Sequence, residues 1–264
     1  MELKIYQIDA FASALFQGNP AAVCILEEWL PEMLMQAIAM EMNLSETAFL
    51  VKKDDGYRIR WFTPNREVKL CGHATLAAAH VLFRHEQIAS QVIRFSSLSG
   101  TLVAHMTPEG LISLDFPSNP VKHTALTSEI HLALGGSPES ALAGEDLIVT
   151  YNDATEIEIL TPNMSMLEKL PYRGICVTAP GNGYHYDFVS RFFAPAYGIP
   201  EDPVTGSSFT QLAPYYAERL DKTQFFAKQL SKRGGEVNVT LAGSRVHIAG
   251  TAKTFMIGNM LLDH

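Results

Sequence analysis

The chain has 264 residues, 47% of them hydrophobic and 18% charged, with a formal net charge of −8; that is enough for one large domain or two small ones with cores of their own, and it argues against a nucleic-acid binder, which carries a basic patch. Its three cysteines, Cys24, Cys71 and Cys176, are widely spaced and odd in number, so no disulfide framework is expected and a reducing compartment fits. The opening "MELKIYQIDAF" begins with charge and alternation rather than an apolar run, so neither a signal peptide nor a membrane span is expected and the protein is read as cytoplasmic.

From the N-terminus, alternating or apolar runs predict strands over 3–9 and 21–26, and Pro31 suits the first turn of a helix over 31–42. Asn43 reads as its stop, followed by strands over 47–52 and 57–62. A helix is predicted over 74–85, and between Ala74 and Phe83 only Thr75 and His80 are not hydrophobic. A helix apolar all round is enclosed by protein or lipid, and about ten to twelve residues fall short of the roughly 20 that span a bilayer. The segment is therefore a central helix, and its N-terminus presents unpaired N–H groups and the positive end of the helix dipole. Strands over 101–106 and 111–116 close the first half, and "DFPSNPVKH" (115–123) reads as a linker.

In the second half the pattern predicts a helix over 123–134, strands over 146–151 and 155–160, and a helix over 163–170. Strands over 173–179 and 185–193 follow, joined by "PGNGYH" (180–185), which reads as a hairpin turn. A helix over 207–220 with Pro214 inside it, expected to kink there, precedes strands over 236–241 and 245–249.

The halves repeat one another. "YRIRWFTP" (57–64) and "YDFVSRFFAP" (186–195) each lead through a short loop and a glycine into a small-residue helix start, "CGHATLAAAHVLF" and "TGSSFTQLAPYYAERL". Gly72 and Gly206 are 134 residues apart, and Gly100 and Gly235 are 135 apart. The reading is an internally duplicated α+β protein with lobes at 1–119 and 120–264, each a curved, mainly antiparallel sheet rolled around its own buried helix. The regular strand–helix rhythm of a doubly wound parallel sheet is absent. Pseudo-twofold packing would bring the two central helix starts to one cleft, where amides around Gly72-His73 and Gly206-Ser207 suit a carboxylate or phosphate. Taken singly, Ser207 is also an ordinary N-cap and His73 an ordinary structural hydrogen-bonder.

Four segments, "GNPAAV" (18–23), "NLSETAFL" (43–50), "LCGHATLAAAHVL" (70–82) and "EDPVTGSS" (201–208), resemble the PhzF-like isomerase family, which shares the diaminopimelate epimerase fold. The resemblance runs along essentially the whole chain. It implies two similar lobes, a homodimer, and a small carboxylic-acid substrate handled without metal or organic cofactor. It places the family's proton-moving glutamate on Glu46, its histidine on His73, its aspartate on Asp202 and its serine on Ser207. Gly72 and Gly206 match the glycines whose amides hold the substrate carboxylate, and Ser45 matches a hydroxyl contact. On the residues alone, Glu46 lies between the helix stop Asn43 and the apolar entry "TAFLV", a place compatible with partial burial, and His73 with Asp202 could form a second acid–base pair, the aspartate orienting the imidazole.

Other classes compete. Cys71 precedes Gly72 where epimerases and racemases of this fold carry one of two catalytic cysteines, but the matching position in the second half is Thr205. One thiol excludes a symmetric two-thiol racemase. It leaves open a cysteine/threonine dehydratase or epimerase in which Cys71 is the acid/base, or a buried, chemically silent Cys71. His73 and His80 are seven apart, yet no H-x-x-x-H or C-x-x-C completes a metal set. A non-catalytic carboxylate-binding protein is the remaining alternative. The substrate itself is not legible in the sequence.

Overall fold

A computed structural model describes residues 2–182 and 184–262; Gly183, within the turn read from "PGNGYH", lies outside the described residues. The chain divides into two compact units, Met1–Asp115 with Ala249–His264, and Phe116–Ile248. Among the described residues no helix is long and apolar enough to cross a membrane.

The first unit contains β1 (Glu2–Ala10), β2 (Asn19–Leu26), α1 (Glu32–Met42), β3 (Glu46–Lys53), β4 (Gly56–Phe62), β5 (Glu67–Val68), α2 (Gly72–Arg84), β6 (Val92–Ser97), β7 (Gly100–Met106) and β8 (Ile112–Pro117). The second contains β9 (Lys122–Thr124), α3 (Ser128–Leu134), β10 (Ser140–Ala143), β11 (Leu147–Thr150), α4 (Ala154–Ile159), α5 (Met164–Leu167), β12 (Ile175–Pro180), β13 (Phe188–Ala194), β14 (Ile199–Asp202), α6 (Gly206–Leu220), β15 (Gln224–Gln229), β16 (Gly235–Ala242) and β17 (Arg245–Gly250). The last strand, β18 (Ala252–Leu261), returns to the first unit.

Strand pairing follows one plan twice. In the first unit β1–β2 is antiparallel, β2–β3 parallel, β3–β4 antiparallel, β4–β6 parallel and β6–β7 antiparallel. In the second, β10–β11, β11–β12, β12–β13, β13–β15 and β15–β16 repeat those five relations in the same order. Even the short β5 on β4 has its counterpart in β14 on β13. Each parallel pair needs a crossover, and helices supply them: α1 and α2 in the first unit, α4 with α5 and then α6 in the second. The sheets are mainly antiparallel, as the sequence implied, but two helical crossovers per unit were hidden from a reading that looked for a regular strand–helix rhythm.

The sequence reading placed one boundary at 119/120, whereas the chain passes between the units at 115/116 and again at 248/249. β18 pairs with β1 along the whole of β1, from Glu2↔Leu261 to Ala10↔Ala252, just as β9 pairs with β10. Left alone, β1 would present unpaired N–H and C=O groups along an edge; the strand that covers it comes from the far end of the chain.

Two local predictions are corrected. Residues 155–160, read as a strand from the alternation in "TEIEIL", form α4, because the Asp153 carboxylate accepts from Thr155 N (2.9 Å) and caps a helix start. A six-residue apolar alternation fits either period, and the cap decides. The helix predicted over 123–134 begins only at Ser128, where Thr127 Oγ1 caps Ile130 N (3.3 Å); Lys122–Thr124 pairs with β10 instead.

α2 is the enclosed helix that its composition demands. All ten residues from His73 to Leu82 are buried, and β1, β2, β3, β7 and β18 pack around it. In the second unit α6 buries Phe209, Leu212 and Tyr216, and Tyr216 stacks on Phe188 of β13 with ring centroids 4.2 Å apart. Pro214 lies inside α6.

Gly18 joins the loop after β1 to β2 with φ of +67°, and a Cβ there would lie 2.1 Å from the Ala10 carbonyl oxygen. Gly18→Ala meets both a left-handed backbone and a main-chain clash. It should cost at least about 1–2 kcal/mol of unfolding free energy, read as a lower midpoint in urea denaturation. An unchanged midpoint would mean that this turn is not constrained as described.

Candidate active site

The site is assembled by the starts of three elements. α1 ends at Asn43, whose left-handed backbone (φ 49°) and N–H to Ala39 O (3.2 Å) reverse the chain. Three residues later Glu46 opens β3, which pairs in parallel with β2 in the register Ala21↔Glu46. Asn19 opens β2, so both strand starts lie at one end of the sheet. Cys71, extended at φ −147°, precedes the first turn of α2, in which Gly72 and His73 are the first two residues.

Four side chains of the first unit meet there. His73 Nε2 lies 3.0 Å from Glu46 Oε2, with only 7% and 12% of the two side chains exposed. On the other side of the ring, Nδ1 is 3.5 Å from Cys71 Sγ and 3.3 Å from Asn19 Nδ2. Glu46 Oε2 and His73 Nε2 are buried and in charge contact, yet the ring N–H is not aligned for a hydrogen bond, and neither atom has another hydrogen-bond partner. Buried polar atoms are nearly always hydrogen-bonded, so a pair left this way needs a reason.

Protonation follows from burial and charge. Burial opposes the His73 imidazolium, but the anionic groups facing it, a Cys71 thiolate where one forms and the Glu46 carboxylate, hold its pKa well above 6.5. The Cys71 thiol is pushed up to about 11, first by burial and then by Glu46. Near neutrality the sulfur therefore keeps its proton, and Glu46 is the charge that keeps His73 protonated. Asn19 serves either state of the ring: its NH2 donates to a neutral Nδ1, and turned over, its oxygen accepts from Nδ1–H.

Among the described residues, Glu46, Cys71 and His73 are one group whose donor atoms lie within metal-ligand reach of one another. In the geometry present, the thiol faces Nδ1 and the carboxylate faces Nε2. A metal takes one ring nitrogen, so this arrangement matches a proton relay through the imidazole better than a ligand set. His80, the other histidine of α2, contacts Thr254 Oγ1 (3.0 Å) instead, and burial lowers its pKa to about 4.

The remaining candidates lie in two places. Ser45, half-buried, is in the bend just before β3. Asp202, Thr205, Gly206 and Ser207 belong to the second unit, at the start of α6. Thr205, the counterpart of Cys71, donates from Oγ1 to Asp202 Oδ2 (2.5 Å). Gln229, fully buried at the end of β15, accepts from Thr205 N (2.9 Å) and donates to Asp202 O (2.7 Å), fastening the loop from both sides. The sequence reading paired His73 with Asp202; within the first unit the ring's partner is Glu46. Asn19 and Gln229 were missed. Asn19 was signalled by "GNPAAV", whereas nothing in the sequence ties Gln229 to a loop 24 residues upstream of it.

Comparison with known proteins gives the family and the fold. Residues 8–258 match the phenazine biosynthesis-like (PhzC-PhzF) family. An uncharacterized isomerase of Pseudomonas aeruginosa is 48% identical over 264 residues, covering 100% of either chain. A crystal structure of a PhzF-family phenazine biosynthesis protein from Enterococcus faecalis superposes with a TM-score of 0.96 at 45% identity, over 99% of this chain and 100% of that one. A probable proline racemase from Agrobacterium radiobacter shares the fold alone, with a TM-score of 0.67 at 10% identity, over 99% of this chain and 93% of that one. The architecture is the α+β, diaminopimelate epimerase-like one.

The charge balance makes a direct prediction. In Glu46→Gln, burial acts on His73 without the opposing carboxylate, so its pKa should fall below 6.5. Imidazole nitrogen shifts followed by NMR against pH should show the wild-type ring titrating above that value and the variant below it. The stabilisation tied to the raised pKa is full below pH 6.5 and fades as pH climbs through the folded-state value. A variant ring still titrating high would place the stabilising charge elsewhere.

Proposed function

The chain belongs to the phenazine biosynthesis-like (PhzC-PhzF) family, whose members among its relatives are named isomerases, and from that premise we propose that it moves a proton between carbons of a small unsaturated carboxylic acid, with Glu46 as the acid/base. The observation that supports this reading most is the buried Glu46–His73 contact in which neither facing atom has a hydrogen bond. An ion pair taken from water without hydrogen bonds to complete it is a poor device for stability. It is a suitable one for a site that waits for a substrate.

In this reading the Glu46 carboxylate accepts a proton from an sp3 carbon, and the electron pair left behind spreads into the adjoining double bond and carboxylate. The resulting carboxylic acid returns the proton to another carbon, so nothing is consumed and no metal or organic cofactor is required. Protonated His73 lowers the cost of the anionic intermediate, an electrostatic contribution that is strongest where water is excluded. Main-chain amides at helix starts hold the substrate carboxylate, with Gly72 and Gly206 the candidates. Ser45 and Ser207 offer hydroxyl contacts, and Asp202, tied by Thr205, a second acid/base. The resemblance that carries these roles also implies a homodimer.

A second reading has one specific observation in its favour: Cys71 Sγ faces the imidazole at 3.5 Å, so sulfur, ring and carboxylate form a chain. A pKa of about 11 makes the thiol a weak source of thiolate near neutrality, and Thr205, its counterpart, donates to Asp202 rather than completing a thiol pair.

The two readings separate in D2O. A panel of cyclic and unsaturated carboxylic acids, incubated with the protein, should yield at least one compound with deuterium on carbon. Glu46→Gln should then slow exchange by about 10²–10⁴-fold, the usual worth of a positioned acid or base, while Cys71→Ala costs far less. Loss of exchange in Cys71→Ala with retention in Glu46→Gln would make the thiol the acid/base. Binding of acids without any carbon-bound deuterium would indicate a non-catalytic carboxylate binder.

A further inference from the structure

A second buried polar network lies within the second unit, beside the start of α6. Asp146, in the tight turn between β10 and β11, has a fully buried carboxylate. Arg173 donates to it twice, from Nε to Oδ1 (2.9 Å) and from Nη2 to Oδ2 (2.7 Å). Gln211 Nε2 donates to the same Oδ2 (2.7 Å), and Gln211 Oε1 accepts from the Asp146 main-chain N–H (3.2 Å). Arg173 Nη2 also donates to Ser207 Oγ at 2.9 Å. Ser207 and Gln211 are i and i+4 on α6, so one helix face meets the whole assembly.

The backbone is shaped to make this possible. A Cβ on Gly174, next to Arg173, would lie 2.1 Å from Phe192 Cζ and 3.0 Å from Asp146 Oδ1. A Cβ on Gly144 would lie 2.5 Å from Gln211 Oε1. Both approaches are open only to glycine. The guanidinium, with 37% of its side chain exposed, is thus held at one edge by a buried carboxylate and delivered to one hydroxyl.

The chemistry of that last contact is directional. A guanidinium only donates, whereas a hydroxyl has one hydrogen and two lone pairs. Ser207 Oγ must therefore accept from Arg173, which leaves its hydrogen to point elsewhere. Among the described residues that hydrogen has no acceptor, and Ser207 is only half-buried. With one lone pair engaged by Arg173, this hydroxyl is oriented with its hydrogen left for a ligand.

We propose that Arg173, clamped by buried Asp146, is a positioning residue that orients the Ser207 hydroxyl so that its hydrogen is offered to an anionic oxygen of the substrate. This rests on the reading that Ser207 meets the substrate, and it names the group favoured there as a hydrogen-bond acceptor, a carboxylate or an enolate-like oxygen. Asp146 and Gln211 act one step further back, holding the guanidinium in place.

Two measurements test this, one of them independent of any ligand. Three-bond couplings at Ser207 should report a single χ1 rotamer in the wild-type protein and an averaged one in Arg173→Met. Because Arg173→Met strands the Asp146 charge in the interior, the same couplings are read in the variant combining Arg173→Met with Asp146→Asn. Arg173→Lys keeps a point charge but not the fork and should fall between. Benzoate then serves as a carboxylate probe, its affinity read from α6 amide shifts. Ser207→Ala and Arg173→Met should each weaken it about tenfold, the scale of one hydrogen bond to a charged group. The double variant should be no weaker than either single one, since both remove the same bond.

An unchanged Ser207 rotamer in the charge-neutral variant, or losses that multiply to about a hundredfold in the double variant, would overturn the role of Arg173. Benzoate binding that is absent in the wild type, or indifferent to Ser207→Ala, would instead remove Ser207 from the substrate and with it the premise, whatever the couplings show.

Discussion

Everything at the candidate site depends on one contact, the Glu46 carboxylate against the His73 imidazole in a place almost closed to water. Removing two charges from water is costly, and the attraction between them offsets that only when hydrogen bonds satisfy what remains. Here they do not. The result is a histidine held protonated by its neighbour, a thiol kept protonated on its other face, and two facing atoms with bonding capacity to spare. The greasy α2 behind His73 and the strands around it maintain the dryness that gives those charges their strength.

The fold explains how that contact is held. Parallel strands β2 and β3 begin at the same end of the sheet, so Asn19 and Glu46 arrive together. The first turn of α2 brings Cys71 and His73 to them. The same pairing plan in the second unit brings Asp202, Thr205 and Ser207 to the start of α6. The two helix starts have been treated differently. In the first unit the carboxylate and the imidazole face each other with few hydrogen bonds; in the second, Gln229, Asp146 and Arg173 tie nearly every polar group to another. An acid/base group that changes protonation gains from neighbours such as Asn19 that accept either state, whereas a binding group gains from being fixed.

The sequence carried much of this, because the information was local or repeated. The duplication was visible in two strand–proline–glycine–helix passages, and it emerges as five pairing relations repeated in order. The enclosed α2 followed from an apolar run with no polar face. The stop at Asn43 followed from a residue that tolerates a left-handed backbone. Where two periods fitted, as in residues 155–160, the hydrophobic pattern was ambiguous and the Asp153 cap settled the outcome.

Composition and periodicity thus determined the α+β class and the two-fold repeat, and the resemblance of four motifs to a known family implied the candidate residues Glu46, His73, Asp202 and Ser207, since each is written within a short stretch of chain. The tertiary structure alone decided which of them touch. It set Glu46 against His73 in the first unit, drew β18 back across β1 to cover an open edge, and joined Asp146, Arg173 and Gln211 to Ser207. Such partners lie tens of residues apart, and side-chain contacts at that separation depend on strand register and on close approaches such as those at Gly144 and Gly174, which no local pattern encodes.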